Sequence, residues 1–230
     1  HVKKVLANLE FLVVQDIFLT ETAQLAQVVL PGASFAEKEG TFTNTERRVQ
    51  RVRMAVAPIG NAKPDWWIIC QIAKGMGGGG FDFANSSQIM EEVAHLTPSY
   101  GGISHERLDR SKAGLIWPCP TSEHPGTPIL HTETFTRGKG KFIPLSYKPA
   151  AELPDEQYPL LLTTGRSLYH YHTGTMTRRV KGLNRIMGEG RVEISPSDAR
   201  ALSISDGEMV KVISRRGQVL AKAQVTSVCP

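Results

Sequence analysis

Two short apolar runs near the start of the chain, Phe11-Leu12-Val13-Val14-Gln15 and Val28-Val29-Leu30, constrain its fold more than any other feature. Neither alternates with polar residues, so each reads as a strand covered on both faces, as strands of parallel sheets are. Between them Thr20-Glu21-Thr22-Ala23-Gln24-Leu25-Ala26 reads as a short helix with Thr20 as its N-cap. Strand, helix and strand at this spacing make a β–α–β unit whose loops lie at the carboxyl edge of a sheet. Asp16 ends the first strand at that edge, where doubly wound sheets present a carboxylate to a nucleotide. Its two acceptor oxygens match the adjacent N1–H and N2–H donors of guanine. Ribose hydroxyls are a second target for Asp16, and a plain turn or cap role a third.

The polar stretch 36–50 carries Gly40, able to supply a positive φ, and a strand-like alternation about Phe42. It lines a cleft or forms a solvated hairpin. Residues 64–74 read as a helix with Pro64 in its first turn and Gly75 as a stop. Trp66 and Trp67 pack that helix onto the sheet, and Cys70 belongs to the core. The glycines at 77–80 follow a helix and lack a Gly-Lys-Ser/Thr ending, so they make a flexible connector rather than a phosphate loop. Residues 86–96 form an amphipathic helix through Ile89, Met90, Val93 and Leu96. Residues 97–148, rich in Pro, Gly, Ser and His, read as a long excursion with a short strand over 139–146. The expected domains are therefore 1–148, α/β in class and the end of a doubly wound domain, and 149–230, a small β-barrel.

In the second part, residues 191–195 read as a strand and 196–202 as a helix capped by Ser195 with Pro196 at its first position. Residues 210–214 and 217–225 pair as a hairpin about Arg215-Arg216-Gly217. Short strands with one brief helix suit a small barrel. Ahead of them, Pro159 to Leu162 reads as a buried strand that runs into a polar site, Thr163-Thr164-Gly165-Arg166-Ser167-Leu168-Tyr169-His170-Tyr171-His172-Thr173-Gly174-Thr175-Met176-Thr177-Arg178-Arg179. Glycines let backbone approach a bulky ligand, and one arginine can hold a phosphate by two parallel bonds. A solvated basic edge is the alternative. So is a zinc pair, His170-x-His172, whose rings would share one face of a strand.

The charge balance, 27 Lys and Arg against 22 Asp and Glu, gives +5 and fits an anionic ligand. No run of 18 apolar residues exists, so no membrane span is expected. Cys70, Cys119 and Cys229 are too scattered for a zinc site, an iron–sulfur site or a disulfide framework, which favours a reducing, cytoplasmic setting. A chain that opens at His1 within a helix-like stretch and stops at Pro230 reads as a piece of a longer one. A non-catalytic barrel that docks protein or nucleic acid would interleave aromatics with basic residues. Tyr169 and Tyr171 beside Arg166, Arg178 and Arg179 imitate that weakly, and residues 11–50 do not support it.

These segments, taken in order, resemble the molybdopterin oxidoreductases: Val14-Gln15-Asp16-Ile17-Phe18-Leu19-Thr20-Glu21-Thr22-Ala23, Glu37-Lys38-Glu39-Gly40-Thr41-Phe42-Thr43-Asn44 with Glu46-Arg47-Arg48, and Ile194-Ser195-Pro196-Ser197-Asp198-Ala199 with Asp206-Gly207-Glu208. Within that superfamily the stretch from Thr164 to Arg179 is most similar to the large (alpha) subunit of formate dehydrogenase. A nitrate reductase or the large subunit of NADH–quinone oxidoreductase is the neighbouring alternative. The resemblance implies a bis-molybdopterin guanine dinucleotide carrying molybdenum or tungsten, an α/β domain holding one guanosine, and a double-psi β-barrel closing over the pterins. It implies that Asp16 takes the guanine edge with Thr20 bonding nearby. Arg166, Ser167, His170 and His172 would fall on the pterin and phosphate side, with Thr173 as a further contact. Formate is the implied substrate, and the rest of the alpha subunit and electron-transfer subunits the implied partners. The metal-binding cysteine or selenocysteine, the substrate arginine and the iron–sulfur cysteines of the family precede this region. No catalytic residue is therefore assigned here, and the 230 residues alone are expected to turn over nothing.

Overall fold

The computed structural model describes residues 2–228, so Cys229 and both terminal residues lie outside the described part. The chain divides into two compact units, residues 1–141 and 142–230.

The first unit begins with helix α1 (Val2–Ala7) and strand β1 (Val13–Asp16). Strand β2 (Val28–Pro31) runs parallel to β1 in the register Val13↔Val28 to Asp16↔Pro31. The expected crossover is thus present, but its helix is a single 3-10 turn, Ala23–Leu25. The expected full burial is not found: Val13, Val28 and Val29 are exposed and Val14 and Leu30 only half-buried, in a sheet of two strands. Strands β3 (Gly40–Thr43), β4 (Arg48–Val52) and β5 (Leu115–Ile116) form an antiparallel sheet in the order β3-β4-β5. Gly40 is an ordinary member of β3, with open space where a Cβ would sit, so it supplies no positive φ. The hairpin turn instead places Arg47 at φ 64, and the Asn44 side chain closes it by accepting from the amides of Glu46 and Arg48, both at 2.9 Å.

Helices α2 (Asp65–Gly75) and α3 (Ser86–Leu96) follow as expected. The amides of Gly77 and Gly78 donate to Lys74 and Ala73 at 2.9 and 2.8 Å, so the glycine run closes the end of α2. Trp66 lines a cavity of about 230 Å³ beside β3 and α3, while Trp67 lies under the Lys63 ammonium. Residues 97–128 are no mere excursion. Leu108 of helix α4 (His105–Arg110), which is capped by Ser104, Leu115 of β5, and Ile103 and Cys119 from the flanking loops join one core with Val49 and Met90. Pattern-based reading misses this because the segment is too short for a period and is held by long-range contacts. Gly102 shows how tight it is, since a Cβ there would stand 1.9 Å from the Thr121 carbonyl oxygen. No strand forms over 139–146.

In the second unit, 159–162 is not a strand, and Leu160, Leu161 and Leu162 are exposed. Apolar runs become strands only when a partner ladder takes their backbone groups, and among the described residues none does. Helix α5 (Lys181–Ile186) leads to β6 (Arg191–Ile194) and α6 (Pro196–Ala201), whose Ser195 cap accepts from the Asp198 amide. Strands β7 (Met209–Ser214) and β8 (Gly217–Val225) form the expected hairpin, and β6 lies parallel to β8, giving the order β6-β8-β7. Arg215 reaches from the hairpin turn to Glu152 and Asp155 and stacks over Tyr158. Among the described residues no helix is long and apolar enough to cross a membrane.

Leu108→Ala empties a site in the first unit's core where the side chain is 3% exposed. The expected cost is about 2–5 kcal/mol, read as a lower urea midpoint by the fluorescence of Trp117, which packs on that core.

Candidate functional site

The first loop of interest leaves β1 at its carboxyl end. Asp16 Oδ1 accepts from the Phe18 amide at 3.0 Å, turning the chain out of the strand. Its other carboxylate oxygen has no partner among the described residues, so acceptor capacity remains. Thr20 Oγ1 accepts from the Ala23 amide at 3.2 Å and its carbonyl from Gln24 at 2.9 Å, which starts the 3-10 turn. Asp16 and Thr20 therefore lie on one short loop, both half-buried.

What holds this loop in place was not evident in the sequence. Asp65, the first residue of α2, accepts from Gln15 Nε2 at 2.7 Å through one oxygen and from the Lys38 ammonium through the other. Gly32, just past β2, lies so near that a Cβ would be 3.2 Å from Asp65 Oδ1, and its amide donates to the Asp16 carbonyl at 3.0 Å. One carboxylate thus gathers the ends of both strands and the segment before β3. Burial alone would raise the Asp65 pKa, but the bonds from Lys38 and Gln15, with the Lys38 charge, hold it below the ordinary carboxylate value. The motif 37–39 has parallel structural uses. Glu37 forms a capping box with Ser34, and Glu39 approaches Arg51 at 4.0 Å.

The second loop, 166–178, divides into groups turned inward and groups offered outward. His170 is buried, with Nε2 2.5 Å from the Met187 carbonyl and Nδ1 3.1 Å from Thr177 Oγ1. Ser167 donates to Met187 Sδ at 2.9 Å, and Arg178 to the Gly188 carbonyl at 2.6 Å. Arg166 is exposed without a partner among the described residues. His172 is exposed at φ 49, its ring edge-on to Tyr171 at 4.3 Å, and Thr173 is exposed with its hydroxyl 3.2 Å from that of Thr175. The expectation that His170 and His172 share a face is corrected. The segment is not a strand, and one ring is internal while the other faces out. Among the described residues no three His, Cys, Asp or Glu side chains could hold a metal. His170 and Ser167 are committed to the chain's own backbone and side chains, whereas Arg166, His172 and Thr173 are free to meet a ligand.

The donor set on this loop, a guanidinium with an imidazole and hydroxyls, fits phosphate or a polar heterocycle. The open acceptor at Asp16 fits a donor pair. Residues 1–75 match the family described as "Molybdopterin oxidoreductase", and residues 160–230 the "Molydopterin dinucleotide binding domain". The chain is 54% identical over 229 residues to an F420-dependent formate dehydrogenase subunit alpha of Methanocaldococcus jannaschii, covering 98% of this chain and 34% of that one. It is 56% identical over the same length to an F420-dependent formate dehydrogenase 2 subunit alpha of Methanococcus maripaludis, with the same coverage. The chain thus spans about a third of the length of these curated relatives. Acetylene hydratase from Pelobacter acetylenicus shares the fold, with a TM-score of 0.71 at 22% identity over 99% of this chain and 33% of that one.

Two outcomes test this geometry. Because the folded Asp65 carboxyl binds its proton less readily than the unfolded one, its stabilising contribution is complete above the ordinary value of 3.8 and is lost as pH falls through the lower folded value. Acid unfolding of Asp65→Asn should accordingly show a flatter pH dependence below about pH 4 and a lower midpoint at pH 7 than the parent. Gly174 sits at φ 78 with the Arg178 stem where a Cβ would go, 2.8 Å away. Gly174→Ala should cost about 1–2 kcal/mol locally, read as faster amide exchange over residues 171–178.

Proposed function

We propose, from the premise that the chain belongs to the molybdopterin oxidoreductases, that it is the C-terminal third of a formate dehydrogenase alpha subunit and binds the molybdopterin guanine dinucleotide. The observation that carries the binding role is the open acceptor of Asp16 at the carboxyl end of β1, on a loop pinned from behind by Asp65. Asp16 takes the guanine edge, with Thr20 offering its hydroxyl hydrogen alongside. Arg166, His172 and Thr173 take phosphate and pterin polar atoms, and Ser167 and His170 hold the loop that presents them. Residues 149–230 form the dinucleotide-binding domain, in which β6, β8 and β7 are strands of a double-psi barrel. When bound, the cofactor supplies a molybdenum or tungsten centre for the two-electron oxidation of formate to CO2. This chain's share is to bind and orient that group and to shield it from water. Electrons leave through iron–sulfur clusters elsewhere in the subunit, and the likeness to F420-dependent relatives makes F420 the first acceptor to test.

In the full-length subunit, Asp16→Ala removes a charged bidentate acceptor worth about 1.5–3 kcal/mol, so retention of the guanine dinucleotide should weaken about 10- to 100-fold. Guanine nucleotide released by acid from the purified protein, measured per polypeptide, gives the occupancy, and formate-dependent dye reduction should fall in proportion. Arg166→Ala should act in the same direction. Full occupancy in both variants, or formate oxidation by the isolated 230 residues, would overturn the proposal.

A further inference from the structure

Resting on that reading, we propose that Thr177 is a positioning residue that ties the His170 ring to the Tyr171 backbone and thereby sets the shape of the loop that presents Arg166, His172 and Thr173. A carbonyl oxygen only accepts, so the His170 nitrogen 2.5 Å from the Met187 carbonyl carries the hydrogen. In the neutral ring the other nitrogen is then an acceptor, and the Thr177 hydroxyl at 3.1 Å is its donor. The same hydroxyl oxygen accepts from the Tyr171 amide at 3.2 Å. Each group is used once, in the sequence Tyr171 N–H to Thr177 Oγ1–H to His170 Nδ1, and His170 Nε2–H to the Met187 carbonyl.

This chain of bonds spans the loop from its middle to its end and fastens it to the residues after α5. Two further bonds land on the same short segment, Ser167 to Met187 Sδ and Arg178 to the Gly188 carbonyl. The Tyr171 amide is the last one held before the exposed run of His172 and Thr173. Among the described residues Thr177 is thus the one side chain that bonds both the buried imidazole and the backbone next to the exposed groups. Without its hydroxyl the imidazole loses its donor at Nδ1 and the Tyr171 amide is released, while the Met187 carbonyl still holds the hydrogen on Nε2.

The test uses the full-length subunit with Thr177→Val, equal in shape but without the hydroxyl, and Thr177→Ser, which restores it. Two quantities are read: hydrogen–deuterium exchange of the peptide holding the Tyr171 amide, and guanine nucleotide per polypeptide. Thr177→Val should exchange about tenfold faster at Tyr171 and lose about half or more of its nucleotide, while Thr177→Ser matches the parent in both. Circular dichroism and elution volume report whether the valine protein is folded; should it not be, Thr177→Ala takes its place against the same serine rescue. Parent-like behaviour of the hydroxyl-free variant, a change in one quantity without the other, or failure of the serine variant to rescue would overturn the inference. Arg166→Ala and His172→Ala separate the two levels. If they keep full nucleotide, the binding role of the loop fails. If they lose it while Thr177→Val does not, only the role of Thr177 fails.

Discussion

The Asp65 carboxylate is the contact on which the first loop depends. Parallel strands joined by a brief turn have little of their own to fix where the turn points, and β1 and β2 contribute four residues each. Asp65 supplies the missing constraint from the start of a helix that has its own buried face, Ile68 and Cys70. Through Gln15 it holds the residue before Asp16, and through its packing on Gly32 it holds the turn beyond β2. A half-buried ion pair such as Lys38 with Asp65, still screened by solvent, contributes little alone. Its value here is directional, since it fixes the rotamer of a side chain that bonds a second partner.

The second unit solves the same problem without charge pairing. Its polar loop is fastened by hydrogen bonds to the two residues that follow α5, one of them from the Arg178 guanidinium, and the buried imidazole is the centre of that fastening. A loop that satisfies its inward groups internally leaves the outward ones ordered but uncommitted, which lowers the entropy cost of meeting a ligand. The division also explains why a dense polar motif does not translate residue by residue into contacts. Ser167 and His170 belong to the frame, and Arg166, His172 and Thr173 to the face it offers.

Much of this was legible in the sequence where the signals are local. The parallel pair, helices α2 and α3, the Ser195 cap and the β7–β8 hairpin follow from apolar runs, capping residues and turn chemistry. The carboxylate ending the first apolar run and the polar stretch with glycines at 165 and 174 singled out the two loops, and the family resemblance assigned their contacts. What stayed hidden depends on partners distant in sequence. Asp65 reads as an ordinary first-turn carboxylate, and only the fold brings it to Gln15, 50 residues away. Residues 97–128 lack a period because their apolar side chains serve the β3-β4-β5 core through single contacts. The run at 159–162 shows the converse, a strong local β signal with no partner ladder among the described residues. His172 was misplaced for a backbone reason: a positive φ breaks the alternation on which a shared-face argument rests.

The most direct measurement is a structure of the full-length subunit with its guanine dinucleotide bound. Both Asp16 carboxylate oxygens should stand about 3 Å from the guanine N1 and N2 atoms, with Asp65 still bonded to Gln15. A guanine bound elsewhere, with neither Asp16 oxygen within hydrogen-bond distance of it, would contradict this placement.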